Sequence, residues 1–296
     1  MDFFIFCRFI TLDFFIFVSL WAHLQRIMKY SIITINYNNR DGLRRTIESV
    51  VNQTFRDFEY IIIDGGSTDG SVEVIKEYAD RIDYWVSEPD KGIYNAMNKG
   101  ILQAHGEYLN FMNSGDCFYN KRVLEKVAFN SKEASIIVGQ DYYVNKYGES
   151  HASTLPHYPS SLFLYVATLP HQSSFFKKDL FEHTLYDERL KIVSDWKFYI
   201  QQIILRGASI EYCHAIICLR EPDGICDHQP DRMFHERKQV LKELYPNGIQ
   251  KDYDILCLMD STSVDRLLQL CKNEKTRIFL TSAIKIIFHI YKLLTI

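Results

Sequence analysis

A strand-forming run that ends in an acid, followed by glycines and a polar turn, occupies residues 60–71. The acid is Asp64, and Gly65 and Gly66 follow it. In an open α/β sheet, ligands bind in the crevice beyond the carboxyl ends of the strands, so a carboxylate here points into that crevice. Glycine lets the backbone approach a ligand closely or adopt a positive φ. Taken alone, the stretch fits a ligand-binding loop and an ordinary strand-to-helix turn capped by an aspartate equally well.

Polar residues follow two further predicted strands. Asn36 and Asn38 lie at the end of the first strand, and Asp116 follows the fourth. Because the carboxyl ends of parallel strands share one edge, we expect these side chains and Asp64 to line one pocket. An acid at this edge can accept hydrogen bonds from a base or ribose, or hold a hard divalent cation, which prefers oxygen ligands. No G-x-x-x-x-G-K-[ST] segment is present and no G-x-G-x-x-G follows the first strand, so neither a P-loop kinase nor a dinucleotide oxidoreductase is supported.

Alternating strands and helices position these residues. The pattern predicts strands at 30–37, 58–63, 82–87 and 107–112, and helices at 41–53, 72–79 and 93–104. Such βα repeats indicate an α/β fold with a mostly parallel sheet and helices on both faces. The second half is mixed, with predicted strands at 135–144, 171–176 and 209–219, helices at 193–205 and 232–244, and a loop at 221–230. We expect this half to form a wall or lid over the first.

The charge and the cysteine content indicate which partners and which compartment to expect. The 296 residues carry a net charge of −3 with both signs interspersed, which argues against a nucleic-acid partner. The seven cysteines form no C-x-x-C pair and are odd in number, which predicts reduced thiols in the cytoplasm, without zinc or disulfides.

The two ends are apolar. Residues 1–28 form an apolar extension, and we expect translation to begin at Met28; the alternative is a membrane-associating segment. Residues 276–296 predict an amphipathic helix with a basic stripe, which can lie on a membrane surface. The alternatives for this helix are packing on the core of the protein or a subunit contact.

Several motifs in order resemble the family 2 glycosyltransferases of the GT-A fold. They are residues 31–38, 49–54, 63–71 and 91–100, and residues 113–116 fall where that family has its metal-binding D-x-D signature. The resemblance implies an inverting transferase that uses a nucleotide-diphosphate sugar, with a UDP-sugar favoured, and a divalent metal, Mn²⁺ or Mg²⁺. It places a transferase domain at 29–225, with a nucleotide-sugar half at 29–120 and an acceptor half at 121–225, before a helical region at 226–275.

The resemblance also assigns roles to residues. Asp64 contacts the nucleotide base, Asp116 is the metal ligand, and Asp195 is the catalytic base. His171 lies in a segment beside the donor site and binds acceptor or diphosphate, although a lone histidine before a strand is more often structural. Further donor-site residues are Asn36, Asn38, Gly65, Lys91, Asn95 and Asn113; Lys91 and Asn95 begin a helix whose N-terminus can face phosphate.

Two departures from the family pattern concern these roles. Asn113 and Gly115 replace the usual leading acids of the metal motif, which leaves Asp116 as its only carboxylate. Ser194 precedes Asp195 where many members have an acid, and Asp195 also fits plain helix capping.

The function predicted is a glycosyltransferase on the cytoplasmic, inner face of the cell membrane that acts on a glycan or lipid-linked acceptor in surface polysaccharide biosynthesis. One alternative is a sugar nucleotidyltransferase, although the first loop lacks the glycines that such enzymes usually need. The other is a non-catalytic sugar-nucleotide-binding scaffold, which the reduced metal motif makes conceivable.

Overall fold

The computed structural model describes residues 29–130, 133–144, 150–220 and 228–258. The predictions for residues 1–28, 259–275 and 276–296 lie outside these ranges, as does most of the predicted loop at 221–230. Within the described ranges, no helix combines the length and the apolar character needed to cross a bilayer.

The first half is a parallel sheet flanked by helices, as the alternation predicts. Its strands are β1 (Tyr30–Asn36), β2 (Phe58–Asp64), β3 (Tyr84–Ser87) and β4 (Tyr108–Phe111), in the spatial order β3-β2-β1-β4. The helices between them are α1 (Arg40–Val51), α2 (Ser71–Glu77) and α3 (Ile93–Gln103). Every residue of β1 is buried, in keeping with a central strand covered on both faces.

The helices cover opposite faces of this sheet. Ile32 on β1 belongs to the apolar cluster that includes Leu43 and Ile47 of α1. Its neighbour Ile33 faces the other way, where a Cβ atom on Gly100 of α3 would lie 2.5 Å from Ile33 Cγ2. Because successive side chains of a strand point to opposite faces, α1 and α3 enclose the sheet. The glycine allows α3 to pack close to β1.

The second half extends the sheet with mixed strand directions. It contains β5 (Cys117–Phe118), β6 (Ile136–Val144), β7 (Ser150–Ala152), β8 (Ser174–Lys177) and β9 (Ile210–Leu219). From β4 the order continues β8-β6-β9-β5, with β7 paired to β6. β8 is antiparallel to β4 and β6, whereas β6 and β9 are parallel. The predicted α/β class with a mixed second half is confirmed.

The remaining helices are mostly short. They are α4 (Val123–Asn130), α5 (Ser161–Val166), α6 (Ser194–Tyr199), α7 (Pro230–Leu244) and α8 (Asn247–Leu258). α6 continues as a π-helical turn, Ile200–Leu205, and the chain reverses at Gly207, whose φ is +72°. Two compact units divide the chain, one ending at Val240 and one beginning at Leu241, and every predicted site residue lies in the first.

One predicted strand differs in a way that matters for the site. Residues 171–173 form a 3₁₀ turn, and the strand starts only at Ser174. Pro170 carries the carbonyl that accepts hydrogen bonds from the Ser173 amide at 3.2 Å and the Ser174 hydroxyl at 2.8 Å. This turn takes His171 out of the sheet.

Candidate active site

The carboxyl ends of β1 and β2 are joined through Asp64. Asn36 is its register partner and donates from Nδ2 to Asp64 Oδ1 over 2.7 Å. The hydroxyl and amide of Ser67 donate to Oδ1 and Oδ2 at 2.6 and 2.9 Å. The Gly66 amide and the Ser87 hydroxyl donate to Oδ2 at 3.2 and 2.6 Å. The buried carboxylate therefore accepts five hydrogen bonds from three neighbouring segments.

These donors keep Asp64 ionised. Burial alone would raise its pKa, but the hydrogen bonds from Ser67, Ser87 and Asn36 outweigh burial and lower the pKa. The same bonds fix the loop after β2. Asn38, with a φ of +48°, ties this loop to β1 because its Oδ1 accepts from the Thr68 amide at 2.9 Å. Asp64 thus organises the first edge of the crevice.

Gly65, directly after β2, leaves space for neighbouring side chains. A Cβ atom at this position would lie 2.5 Å from Asp90 Oδ2 and 3.2 Å from Tyr37 Cδ2. Asp90 Oδ1 accepts from the Gly92 amide at 2.8 Å, directly before α3. Only a residue without a side chain allows this carboxylate to approach β2 so closely. Tyr37 is 67% exposed and borders the crevice.

Lys91 and Asn95 lie at the start of α3. Asn95 Oδ1 accepts from the Lys91 amide at 3.1 Å, and its Nδ2 donates to Glu188 at 2.9 Å. The Lys91 side chain is exposed, while its carbonyl accepts from Lys191 Nζ at 2.7 Å. The Asn95 side chain is therefore occupied with protein partners.

A second cluster lies beyond β4. The amide of Ser114 donates to the Ile35 carbonyl at 3.0 Å, which places this segment next to the end of β1. Thr46 Oγ1 donates to the Asp116 carbonyl at 2.7 Å, and Gly115 turns the chain with a φ of +106°. The nearly buried Asp116 accepts from Gln172 Nε2 at 3.0 Å through its Oδ2.

The donor set of this cluster limits what metal the protein alone can hold. Among the described residues, no group of three or more His, Cys, Asp or Glu side chains gathers in a metal-binding arrangement. Mg²⁺ and Mn²⁺ take about six oxygen ligands. A cation at Asp116 therefore fits only if a ligand such as a diphosphate, together with water, completes its coordination.

Asp195, at the start of α6, forms a buried pair with His171. His171 Nδ1 lies 2.9 Å from Asp195 Oδ2, and Tyr94 of α3 donates to Asp195 Oδ1 at 2.7 Å. On its other side, His171 Nε2 lies 3.2 Å from Asn113 Nδ2. Both side chains are mostly covered, with 18% of the His171 and 12% of the Asp195 side chain exposed. Histidine, aspartate and the segment after β4 thus form one continuous group.

Each member of the His171–Asp195 pair shifts the pKa of the other. Burial would raise the pKa of Asp195, but the hydrogen bond and charge of His171, with Tyr94, outweigh burial and lower it. Burial would lower the pKa of His171; the hydrogen bond and charge of Asp195, helped by Asp116 and opposed by Arg220, raise it. The site therefore keeps a carboxylate beside an imidazole that readily accepts a proton.

The structure brings eight of the ten predicted residues to one edge in two groups, while Lys91 and Asn95 lie at the start of α3. Asn36, Asn38, Asp64 and Gly65 lie at the ends of β1 and β2, and Asn113, Asp116, His171 and Asp195 lie around the end of β4. The contact between Ser114 and Ile35 joins the two groups. The roles predicted for these residues stay predictions.

Sequence reasoning missed several partners. They are Ser67, Ser87, Asp90, Tyr94 and Gln172. Asp90, Tyr94 and Gln172 stand next to Lys91, Asn95 and His171 in the sequence. Ser67 lies in the motif at 63–71 and Ser87 ends the predicted third strand, so position alone could have suggested all five.

Comparison with known proteins agrees with this geometry. Residues 31–221 match the profile described as Glycosyl transferase family 2. An uncharacterized glycosyltransferase of Mycobacterium tuberculosis is 34% identical over 233 residues, covering 74% of this chain and 86% of the relative. A PGL/p-HBAD biosynthesis glycosyltransferase of Mycobacterium bovis is 27% identical over 216 residues, covering 70% of this chain and 83% of the relative.

Solved structures share the fold. TarS of S. aureus superposes with a TM-score of 0.58 at 20% identity, over 73% of this chain and 39% of the TarS chain. The mannosyltransferase PcManGT of Pyrobaculum calidifontis gives a TM-score of 0.54 at 13% identity, over 86% of this chain and 83% of that chain. The family profile spans both groups of site residues and the sheet that carries them. The chain therefore belongs to glycosyl transferase family 2 and has the GT-A type of fold.

Proposed function

We propose that this protein transfers a sugar, with inversion, from a nucleotide-diphosphate sugar to a hydroxyl of a glycan or lipid-linked acceptor. The observation that carries the proposal is the continuous group of Asp116, Gln172, His171 and Asp195 at the carboxyl edge of the sheet. It sets a carboxylate suited to a cation beside a buried pair suited to accept a proton. The loop held by Asp64 lies along the same edge.

The donor is a nucleotide sugar, and a UDP-sugar is favoured. TarS has been solved in complex with UDP and with UDP-GlcNAc, and PcManGT with GDP-Man and Mn²⁺. These complexes support the donor class. The crevice bordered by Tyr37, Gly65 and Asp90 has an exposed aromatic ring and a carboxylate, a combination suited to a nucleobase.

Asp116 is the residue that would hold Mn²⁺ or Mg²⁺ together with the donor. A divalent cation at this place would supply positive charge to stabilise the departing diphosphate. The metal affinity of the protein without the donor should be weak, because Asp116 is the single carboxylate of the motif.

The acceptor hydroxyl needs a proton acceptor to become a good nucleophile. Asp195, held by His171 and Tyr94, is the group that we assign to this role, and such a base contributes about 10²- to 10⁴-fold to the rate. Inversion requires this group on the face of the sugar opposite the leaving diphosphate. A carboxylate carried by α6, outside the nucleotide-sugar half, suits that requirement.

We propose a lipid or lipid-linked acceptor at the inner face of the cell membrane. A cholesterol galactosyltransferase of Borreliella burgdorferi, 35% identical over 120 residues that cover 39% of this chain and 33% of the relative, supports the lipid part of this proposal by its name. We propose the predicted terminal helix at 276–296 as the membrane contact, which deletion of residues after Thr276 tests: the truncated protein should leave the membrane fraction.

The central test is a thermal-shift panel of UDP, GDP and dTDP with and without Mn²⁺, followed by transfer from the matching radiolabelled sugar nucleotide to membrane lipids. A ligand that binds the folded state raises the melting temperature. Metal-dependent stabilisation with radiolabel in the lipid fraction supports the proposal. Stabilisation without turnover favours a scaffold, and pyrophosphate-dependent formation of a nucleoside triphosphate favours a nucleotidyltransferase.

A further inference from the structure

We infer that Tyr94 positions Asp195 as the base, and that its hydroxyl alternates between two acceptors as Asp195 loses and gains a proton. It donates to the ionised Asp195 carboxylate, and it turns to the Ile192 carbonyl when Asp195 becomes neutral. This inference rests on the proposed function, in which Asp195 takes the proton of the acceptor hydroxyl. Because Tyr94 acts through Asp195, it is a positioning residue.

The Tyr94 hydroxyl lies between two oxygen acceptors. Its oxygen is 2.7 Å from Asp195 Oδ1 and 2.6 Å from the Ile192 carbonyl oxygen. An ionised carboxylate and a carbonyl only accept hydrogen bonds, and a phenol carries a single hydrogen. Both distances fit an O–H···O hydrogen bond, so the hydroxyl can serve either acceptor without movement of its ring. At any moment it can donate fully to only one of them.

The ring and the second acceptor are both fixed. Tyr94 is 5% exposed, and its ring packs against Tyr186 with 5.6 Å between the ring centroids. On α7, Glu236 accepts from the Ile192 amide at 2.9 Å and from the Lys191 amide at 2.9 Å. The Ile192 carbonyl therefore keeps its place beside the phenol. Only the torsion of the O–H bond has to change for the hydroxyl to exchange partners.

The exchange follows the charge of Asp195 during transfer. The acceptor O–H proton moves to the Asp195 carboxylate while the acceptor oxygen forms a bond to the anomeric carbon. The bond from that carbon to the diphosphate oxygen breaks, and its electron pair leaves with the nucleoside diphosphate. Neutral Asp195 is a weaker hydrogen-bond acceptor, so the Tyr94 hydroxyl turns to the Ile192 carbonyl. Loss of the proton to water restores the charge and returns the hydroxyl.

Other titratable side chains also face the Asp195 carboxylate. His171 Nδ1, from the turn before β8, lies 2.9 Å from Oδ2, so the histidine and Tyr94 hold different oxygens. Tyr186, before α6, and Tyr199, on α6, stay neutral. Burial, helped by the charge of Asp195, raises the pKa of both phenols well above the ordinary value. The histidine is therefore the neighbour whose titration overlaps with that of the base.

The test uses the full-length protein and two changes of one heavy atom each. Tyr94→Phe removes the hydroxyl, and a tyrosine fluorinated beside the hydroxyl at position 94 makes the phenol a stronger donor. Tyr186→Phe is the matched control. It removes a buried hydroxyl that has no hydrogen-bond partner in the described part of the chain.

Turnover is measured as release of nucleoside diphosphate from UDP-glucose, UDP-galactose, UDP-N-acetylglucosamine, GDP-mannose and dTDP-rhamnose with Mn²⁺ and membrane lipids. The quantities compared are kcat, the KM for the donor that turns over, and the dependence of kcat on pH. Melting temperature reports folding. Fluorine NMR of the fluorinated protein reports the partner of the hydroxyl over the same pH range.

We expect Tyr94→Phe to lower kcat about 10- to 10²-fold with an unchanged KM for the donor, because one Asp195 oxygen is no longer fixed. The acid limb of the kcat profile, which reports the His171–Asp195 pair, should move to higher pH, because the ionised carboxylate loses a donor. Fluorination should move this limb to lower pH. The fluorine resonance should shift with the same midpoint, and Asp195→Ala should abolish that shift. Tyr186→Phe should match the wild type.

An acid limb that stays in place in folded Tyr94→Phe would overturn the inference even if kcat falls, because a merely structural role leaves the limb unmoved. A fluorine resonance that does not shift across the limb would overturn it as well. If Tyr94→Phe fails to fold, the direction in which fluorination moves the limb decides. A wild-type protein that releases nucleotide from none of the five donors would overturn the proposed function, and this inference with it.

Discussion

Two carboxylates at the same edge of the sheet are held very differently. Asp64 accepts five hydrogen bonds from the backbone, an amide side chain and hydroxyl groups. Asp195 instead contacts a phenol and an imidazole, and both of these groups can titrate. A carboxylate saturated by fixed donors shapes a loop, whereas one paired with an imidazole can support a change of protonation. The comparison favours a structural role for Asp64 and a catalytic role for Asp195.

The largest effect should come from Asp195→Asn. We expect turnover to fall about 10²- to 10⁴-fold, because an amide cannot take the proton of the acceptor hydroxyl. Nucleotide binding should be retained, since Asp195 lies away from the β1–β2 group. Initial rates and calorimetric titration of UDP with Mn²⁺ check the two parts. Equal losses of binding and turnover would remove the distinction between the two carboxylates.

Asp64→Asn should act mainly on stability. An amide cannot accept from all five donors, so buried N–H and O–H groups lose their partner, at a cost of about 3 kcal/mol in the free energy of unfolding. Urea denaturation measures this cost. Asp80→Asn serves as the control because Asp80 is exposed. If both variants unfold at the same urea concentration as the wild type, Asp64 is not the organiser of the loop.

Asp116→Asn should separate metal-dependent from metal-independent binding. The rise in melting temperature caused by UDP with Mn²⁺ should shrink to the rise caused by UDP alone, because the cation loses its protein carboxylate. The exposed Asp80→Asn is a matched control. A full Mn²⁺ effect in Asp116→Asn would show that the cation binds elsewhere.

The dependence of stability on pH sharpens the contrast further. The pKa of Asp64 is lower in the folded protein than in the unfolded chain, where it is about 3.9. The contribution of ionised Asp64 to the free energy of unfolding is therefore complete above its pKa in the unfolded chain. It is lost as the pH falls toward its pKa in the folded protein. The difference in free energy of unfolding between wild type and Asp64→Asn should shrink between about pH 5 and pH 3. A constant difference over this range would contradict the lowered pKa.

Ser87→Ala should give the smallest change. It removes a single donor to Asp64 from the end of β3, which costs about 1 kcal/mol of stability. Turnover per folded molecule should not change. Comparison with Asp64→Asn in the same denaturation series shows whether the network responds to one donor or only to loss of the carboxylate.

Much of this arrangement was predictable from sequence. The alternation of apolar strands and amphipathic helices predicts the parallel half, and strand ends predict the edge at which Asp64 and Asp116 lie. The local pattern could not reveal the 3₁₀ turn after Pro170, because Phe175 and Phe176 indicate a strand without fixing the residue at which it begins. Nor could it reveal the contact of Tyr94 with Asp195, which depends on packing between residues 101 positions apart.

Two short helices, α4 and α5, escaped prediction for a related reason. α5 spans six residues, too few for a helical period to stand out from an apolar run. The β6–β9 pair contains register irregularities around Gln140, which interrupt the alternation of side chains. In the second half, therefore, long-range packing decides the local structure.

The absence of a side chain at Gly65 has a consequence for the helix α3. Asp90 can sit against β2 only while residue 65 has no side chain, and Asp90 in turn holds the Gly92 amide where α3 begins. Two residues into that helix stands Tyr94, whose hydroxyl anchors Asp195. A methyl group added at residue 65 would push the Asp90 carboxylate away from β2 and so weaken its hold on the Gly92 amide. The missing side chain at one position thus lets a carboxylate stabilise the start of the helix that carries Tyr94.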